Sequence, residues 1–92
     1  MENAIGIIES ISIAGGIEAA DAMVKMAAVK LFLARPICPG KFIVLIGGDV
    51  AAVKSSLKAG RDVIGHYLAD SILISNVHED VFPALEAAVI ID

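Results

Sequence analysis

Short runs of Ile, Val and Leu alternate with longer segments of helical period along this chain. That alternation limits the fold more than any other feature. Ala4-Ile5-Gly6-Ile7-Ile8-Glu9 is apolar and rich in Ile, which suits a buried strand. Val29–Arg35 mixes apolar and polar residues and reads as a second strand. Lys41–Ile46 is the clearest strand and runs into Gly47-Gly48; Ser71–Ser75 is the fourth. The segment Pro36–Gly40 between the second and third strands is short enough for a hairpin. Ser10 to Gly16 reads as a small-residue connection. From Ile17 the spacing becomes helical: Ile17, Ala20, Val24 and Ala27 share one stripe, and Glu18, Asp21 and Lys25 occupy the other faces. Asp21 and Lys25 are also spaced for an i,i+4 ion pair. Asp49 is a suitable N-cap for a second helix, in which Val50, Val53, Leu57, Ile64 and Leu68 keep a stripe to about Tyr67. Gly60 interrupts that helix at a cost in propensity unless another backbone packs close to it. His78-Glu79-Asp80 opens a short third helix, with Pro83 early and Leu85 and Ala88 behind. The order β-α-β-β-α-β-α predicts an α/β (α+β) fold, a mostly antiparallel four-stranded sheet with helices packed on one face.

Composition bears on assembly. Of 92 residues, 58% are hydrophobic and only 4% aromatic, so the core is built from Ile, Val, Leu and Ala. A domain this small has more surface to cover than core to fill, and the surplus apolar residues predict subunit interfaces. The net charge is −4 and the Lys and Arg residues are dispersed, which argues against a nucleic-acid partner. A lone cysteine excludes a disulfide framework and fits a reducing compartment. With no basic-then-apolar leader and no uncharged run near the roughly 18 residues of a membrane span, the expected location is cytoplasmic, with no membrane partner.

No catalytic set stands out, so the chain is not expected to be an enzyme. Ser55 and Ser56 lie in a helix without a nucleophile-elbow pattern. His66 sits near a helix end, where capping or solvent contact is the ordinary role. His78 precedes a helix start and suits capping or an interface. Glu9 and Glu18 show no partner carboxylate. Gly47-Gly48-Asp49 lacks the Lys-Ser/Thr of a phosphate loop and reads as a tight turn with an N-cap. Lys25 and Lys30 read as surface lysines whose alkyl stems could lie along a neighbouring subunit. Cys38 stands apart. In Pro36-Ile37-Cys38-Pro39-Gly40 it is displayed at a turn rather than inside an element, and one thiol makes no metal site within its own chain. Chemistry at Cys38 requires symmetry copies or a redox partner.

Three segments carry a resemblance: Ala4–Glu9, Gly16–Lys25 and Gly47–Val53. In order and spacing they resemble the bacterial microcompartment shell domain, over nearly the whole chain, residues 1–92 being expected to form one such domain. Ile37-Cys38-Pro39-Gly40-Lys41 resembles a narrower group, the first half of the tandem-domain trimeric shell proteins of propanediol-utilisation compartments. The resemblance implies cyclic tiles packed edge to edge around enzymes, with Ile37, Cys38, Pro39 and Gly40 lining a central pore. It implies a tile-edge contact made by Lys25, Asn76 and His78; Asn76 stands where many members have arginine, in Ser75-Asn76-Val77-His78. It implies a cyclic hexamer of single-domain chains, or a trimer if the chain is half of a tandem. It further implies that Cys38 is a metal ligand, three copies holding a [4Fe-4S] cluster in the native assembly; the isolated chain is expected to hold none. The partners implied are further copies, other shell proteins and encapsulated enzymes.

Three functions compete at this point: a structural tile whose pore limits small-molecule passage, a redox shell component with a cluster at the axis, and a small ferredoxin-like domain that senses a metabolite.

Overall fold

Residues 3–85 are described by a computed structural model, apart from the side chain of Cys38. The elements follow the expected order: β1 (Asn3–Ser10), α1 (Ile13–Met26), β2 (Lys30–Cys38), β3 (Lys41–Asp49), α2 (Val50–Ile64), a 3₁₀ turn (Gly65–Tyr67) and β4 (Leu68–Ser75). Helical backbone resumes at residue 81 and runs to residue 85. Ala88 of the expected third helix lies outside the described residues. The strands form one sheet in the order β2-β3-β1-β4, with antiparallel pairing throughout.

Register assigns each strand residue to a face. Ile8 pairs with Val44, and Gly6 with Ile46, on the face that α1 and α2 cover. Ile7 with Leu45 and Ile72, and Ile5 with Gly47 and Ile74, lie on the opposite face. The core is the helix-covered side: Ala4, Ile8, Ala19, Met23, Val44, Ile46 and Val53 are fully buried there, with Phe42 and Leu57 nearly so. Glycines let the layers approach. A methyl on Gly16 of α1 would lie 2.5 Å from Phe42 Cδ1, and one on Gly60 of α2 would lie 2.7 Å from both Ile8 Cδ1 and Met23 Sδ. Gly60 meets close packing, but by the side chains of Ile8 and Met23 and not by the backbone expected there. The Ser56 hydroxyl, fully buried, donates to the Met23 carbonyl at 2.8 Å and ties the two helices together.

Several expectations about boundaries change. Helix α1 begins at Ile13, not Ile17, because Ser12 caps it: the Ser12 hydroxyl accepts from the Gly15 N–H at 3.1 Å. Its buried stripe is Gly16, Ala19, Ala20 and Met23. Of the expected stripe, Ile17 and Val24 are exposed. Small residues face the sheet because close approach stabilises more contact there than a larger side chain would. Strand β3 continues through Gly47-Gly48 to Asp49, which occupies the N-cap position of α2 without a side-chain capping bond. Strand β4 begins three residues earlier than expected, at Leu68, as the 3₁₀ turn closes α2. The helices do not all lie on one face. Phe82, in the third helical segment, stacks on Phe32 with ring centroids 5.6 Å apart, and both rings lie over Gly47 on the face away from α1 and α2.

Candidate functional site at the β2–β3 turn

The expected five-residue loop is shorter in the structure. Strand β2 runs through Pro36, Ile37 and Cys38, leaving Pro39-Gly40 as the turn. Cys38 pairs with Lys41 across it. Gly40 has φ of 80°, and Pro followed by a positive-φ glycine is the residue pattern of a type II turn. The strand tolerates Pro36 because β2 is an edge strand. The register slips by one between Pro36 and Cys38, so Ile37 is the extra residue of a bulge. Proline, bulge and tight turn together give a stiff, exposed tip: Pro36, Ile37, Pro39 and Gly40 are all exposed.

Charges gather one row behind the tip. Lys41 Nζ lies 3.4 Å from Glu9 Oε2, and Asp70 is the cross-strand partner of Glu9. Glu9 thus has a carboxylate neighbour that linear reading does not reveal. The available signal is weak, because it requires the β1–β4 register before the two residues can be seen to meet. Among the described residues, no group of three or more His, Cys, Asp or Glu could hold a metal ion. Cys38 is the one cysteine of the sequence, so metal chemistry at this tip would need donors from outside the chain's own tip.

Lys25, Asn76 and His78 lie at the other end of the sheet. β1 and β3 pair from Asn3↔Asp49 to Ser10↔Phe42, a span of about 24 Å at ~3.4 Å per residue. The turn projects beyond the Ser10 end. Helix α1 returns from that end, so Lys25 in its last turn and Asn76 after β4 sit toward the Asn3 end. Lys25 is well exposed and pairs with Asp21 at 2.9 Å, as the spacing predicts. Asn76 has φ of 57°, and its neighbour Val77 donates its N–H to the Asn3 carbonyl at 3.0 Å. His78 Nδ1 accepts from the Asp80 N–H at 3.2 Å, a bond within the bend that precedes the helical residues 81–85 and not a cap on them. His66 is exposed, its ring 4.1 Å from that of Tyr67. Lys30 Nζ lies 5.9 Å from the centre of the Phe32 ring, on its own subunit.

This fold has counterparts among known proteins. Residues 4–77 match the family model of the BMC domain. The chain belongs to the BMC domain family. This BMC domain is 48% identical over 85 residues to the bacterial microcompartment shell protein PduT of Citrobacter freundii, covering 92% of this chain and 46% of that protein. It is 38% identical over 85 residues to the carboxysome shell protein CsoS1 of Prochlorococcus marinus, covering 89% of this chain and 82% of that one. A solved microcompartment protein from Desulfitobacterium hafniense DCB superposes with a TM-score of 0.89 at 54% identity, over 92% of this chain and 47% of the other. The BMC domain thus spans about half the length of PduT and of the Desulfitobacterium chain, and most of CsoS1. Among the described residues no helix is long and apolar enough to cross a membrane.

Proposed function

We propose that this BMC domain is a structural tile of a bacterial microcompartment shell, built as a cyclic homo-oligomer with the Pro36–Gly40 tips around its axis. The observation that carries the reading is the distribution of exposed apolar residues. Helix α1 packs over β3 and β2, and Ile13, Ile17 and Val24 fall within about 40° of one another on its helical wheel. All three are exposed, Ile17 at 56%, as is Leu31 on edge strand β2. At the other edge, β4 exposes Ile72, Leu73 and Ile74, the last at 45%. Two different apolar patches on opposite edges suit a heterologous, head-to-tail contact, which forms a ring where the rotation between neighbours closes. The sequence relatives support the same conclusion, since both are named as shell proteins.

The ring reading gives the two ends of the sheet separate roles. The exposed tip, with Ile37, Cys38, Pro39 and Gly40, lines a central pore that limits small-molecule passage. Lys25, Asn76 and His78, at the far end, meet the next tile. Other shell proteins and encapsulated enzymes are the further partners. Single-domain chains close as a hexamer; a chain that is half of a tandem closes as a trimer.

Cys38 adds a redox role to the same tile. In a trimer, three copies of Cys38 would hold a [4Fe-4S] cluster, and the last of its four ligands would be a group other than Cys38. When bound, such a cluster supplies one-electron transfer across the shell. The bulge at Ile37 and the tight Pro39-Gly40 turn hold the Cys38 backbone at the tip, and Lys41 remains paired with Glu9 behind it.

Solution mass tests the assembly: a mass of three or six chains at micromolar concentration is expected, and a monomer in moderate salt would sink the ring. Anaerobic reconstitution with iron and sulfide, read by absorbance and paramagnetic resonance, tests the cluster on the assembled form. A Cys38→Ser variant with the same signal would remove Cys38 as ligand.

A further inference from the structure

The chain after β4 does something that neither the ring nor the pore requires. Strand β4 lies at one edge of the sheet and β2 at the other, with β1 and β3 between them. From Asn76 the chain crosses all four strands, a width of about 14 Å at ~4.8 Å per strand. The crossing is anchored at each stage. Asn76 turns the backbone in the left-handed region, with φ of 57°. The Val77 N–H donates to the Asn3 carbonyl of β1 at 3.0 Å. His78 organises the following bend, its Nδ1 accepting from Asp80 N–H at 3.2 Å and its carbonyl accepting from Val81 N–H at 2.9 Å. Phe82 then lands on Phe32 of β2, the planes inclined by 28°.

The landing point is an irregularity in β2. Leu31 pairs with Ile46 and Leu33 with Leu45, so Phe32 is the extra residue of a bulge. Phe32 is only 5% exposed, yet its ring lies on the face that α1 and α2 do not cover. Gly47 lies beneath it and Phe82 beside it: a methyl on Gly47 would lie 2.5 Å from Phe32 Cε2 and 3.2 Å from Phe82 Cε1. The glycine makes room for the Phe32 ring, and the strap brings the second ring.

We infer that residues 76–85 form a clasp that locks the bulged β2 edge strand onto the sheet through the Phe82–Phe32 stack, and that it opens as a unit separate from the helical core. The separation follows from the faces. The core residues Ile8, Met23, Val44 and Val53 pack on the opposite side of the sheet, so release of Phe82 exposes Phe32 and Gly47 without touching them. The β2 ladder to β3 is interrupted at Phe32, and within the chain β2 has no ladder on its other side, so side-chain packing at Phe32 adds to what holds the strand there. The inference stands apart from the shell reading, since it concerns one subunit.

Hydrogen exchange on the full chain tests it, comparing parent, Phe82→Ala and Phe82→Leu at matched concentration and oligomeric state. Phe82→Ala is expected to speed exchange in residues 30–35 and 77–82 by about tenfold, the loss of a stacked ring pair, and to leave α1, α2 and β1 within about twofold. Phe82→Leu, which keeps apolar volume but not the stack, is expected to give a smaller rise in the same segments, and it stands in if the alanine variant does not fold. Unchanged protection in residues 30–35 would show that Phe82 does not hold β2. A uniform rise along the whole chain would show that the stack belongs to one cooperative core, and would equally overturn the clasp.

Discussion

The helix-covered face of the sheet and its two lateral edges use the same residue types to opposite ends. Ile8, Val44, Ile46 and Val53 are fully buried between sheet and helices. Ile17 on α1 and Ile72 and Ile74 on β4 are as apolar, yet they are left on the surface of the single chain. The difference is in what each side chain meets. On the covered face, Gly16 and Gly60 bring the layers so close that Phe42, Met23 and Ile8 fill the remaining space. At the lateral edges the described residues leave Ile17, Ile72 and Ile74 exposed. The first set is spent on folding; the second is available for assembly.

Substitutions at the two places should therefore act on different measurements. The largest effect on folding is expected from Met23→Ala, which empties a fully buried site between α1 and α2 and should cost about 2–5 kcal/mol in urea unfolding. Gly16→Ala should follow, at about 1–3 kcal/mol for forcing a methyl against Phe42, less the ~1 kcal/mol of helix propensity that alanine restores. A Gly16→Ala variant more stable than the parent would mean that α1 can shift away from Phe42 freely. Ile17→Ser and Ile74→Ser should reverse the pattern. Each is expected to change single-chain stability by no more than about 0.5 kcal/mol while lowering the mass seen by sedimentation. Unfolding is best compared at one protein concentration, since assembly itself stabilises the folded chain. If Ile74→Ser keeps the parent's mass, the β4 edge is not a subunit contact. The smallest effect within the ring is expected from Lys25→Asp, which should leave both stability and ring mass nearly unchanged and reduce only the sheets or tubes seen by electron microscopy. Sheets forming as readily as in the parent would remove Lys25 from the tile edge.

The candidate tip was legible in part. Pro36, Pro39 and Gly40 mark a turn around Cys38 from the sequence alone, because each restricts or frees the backbone locally. How much of that segment is turn could not be read locally. Strand pairing carries β2 through Pro36 to Cys38 because the edge position spares Pro36 a ladder bond, and edge position is a property of the whole sheet. The Glu9–Lys41 pair and the Asp70 beside it likewise required register.

By itself the sequence determined the element order, the hairpin and the antiparallel α/β class, since periodicity, glycine and proline act over a few residues. Helix phase was decided by tertiary structure. The larger Ile17 and Val24 read as a core stripe, yet the face with Gly16, Ala19 and Ala20 turns inward, because it lets α1 come close enough for Phe42 and Met23 to fill the space. The same holds for the last described segment. Nothing local in Phe32 or Phe82 indicates that they meet; the sheet order puts β2 and β4 on opposite edges, and only the chain crossing between them brings the two rings over Gly47. Long-range packing, where loop closure and shape complementarity are settled together, decides such contacts.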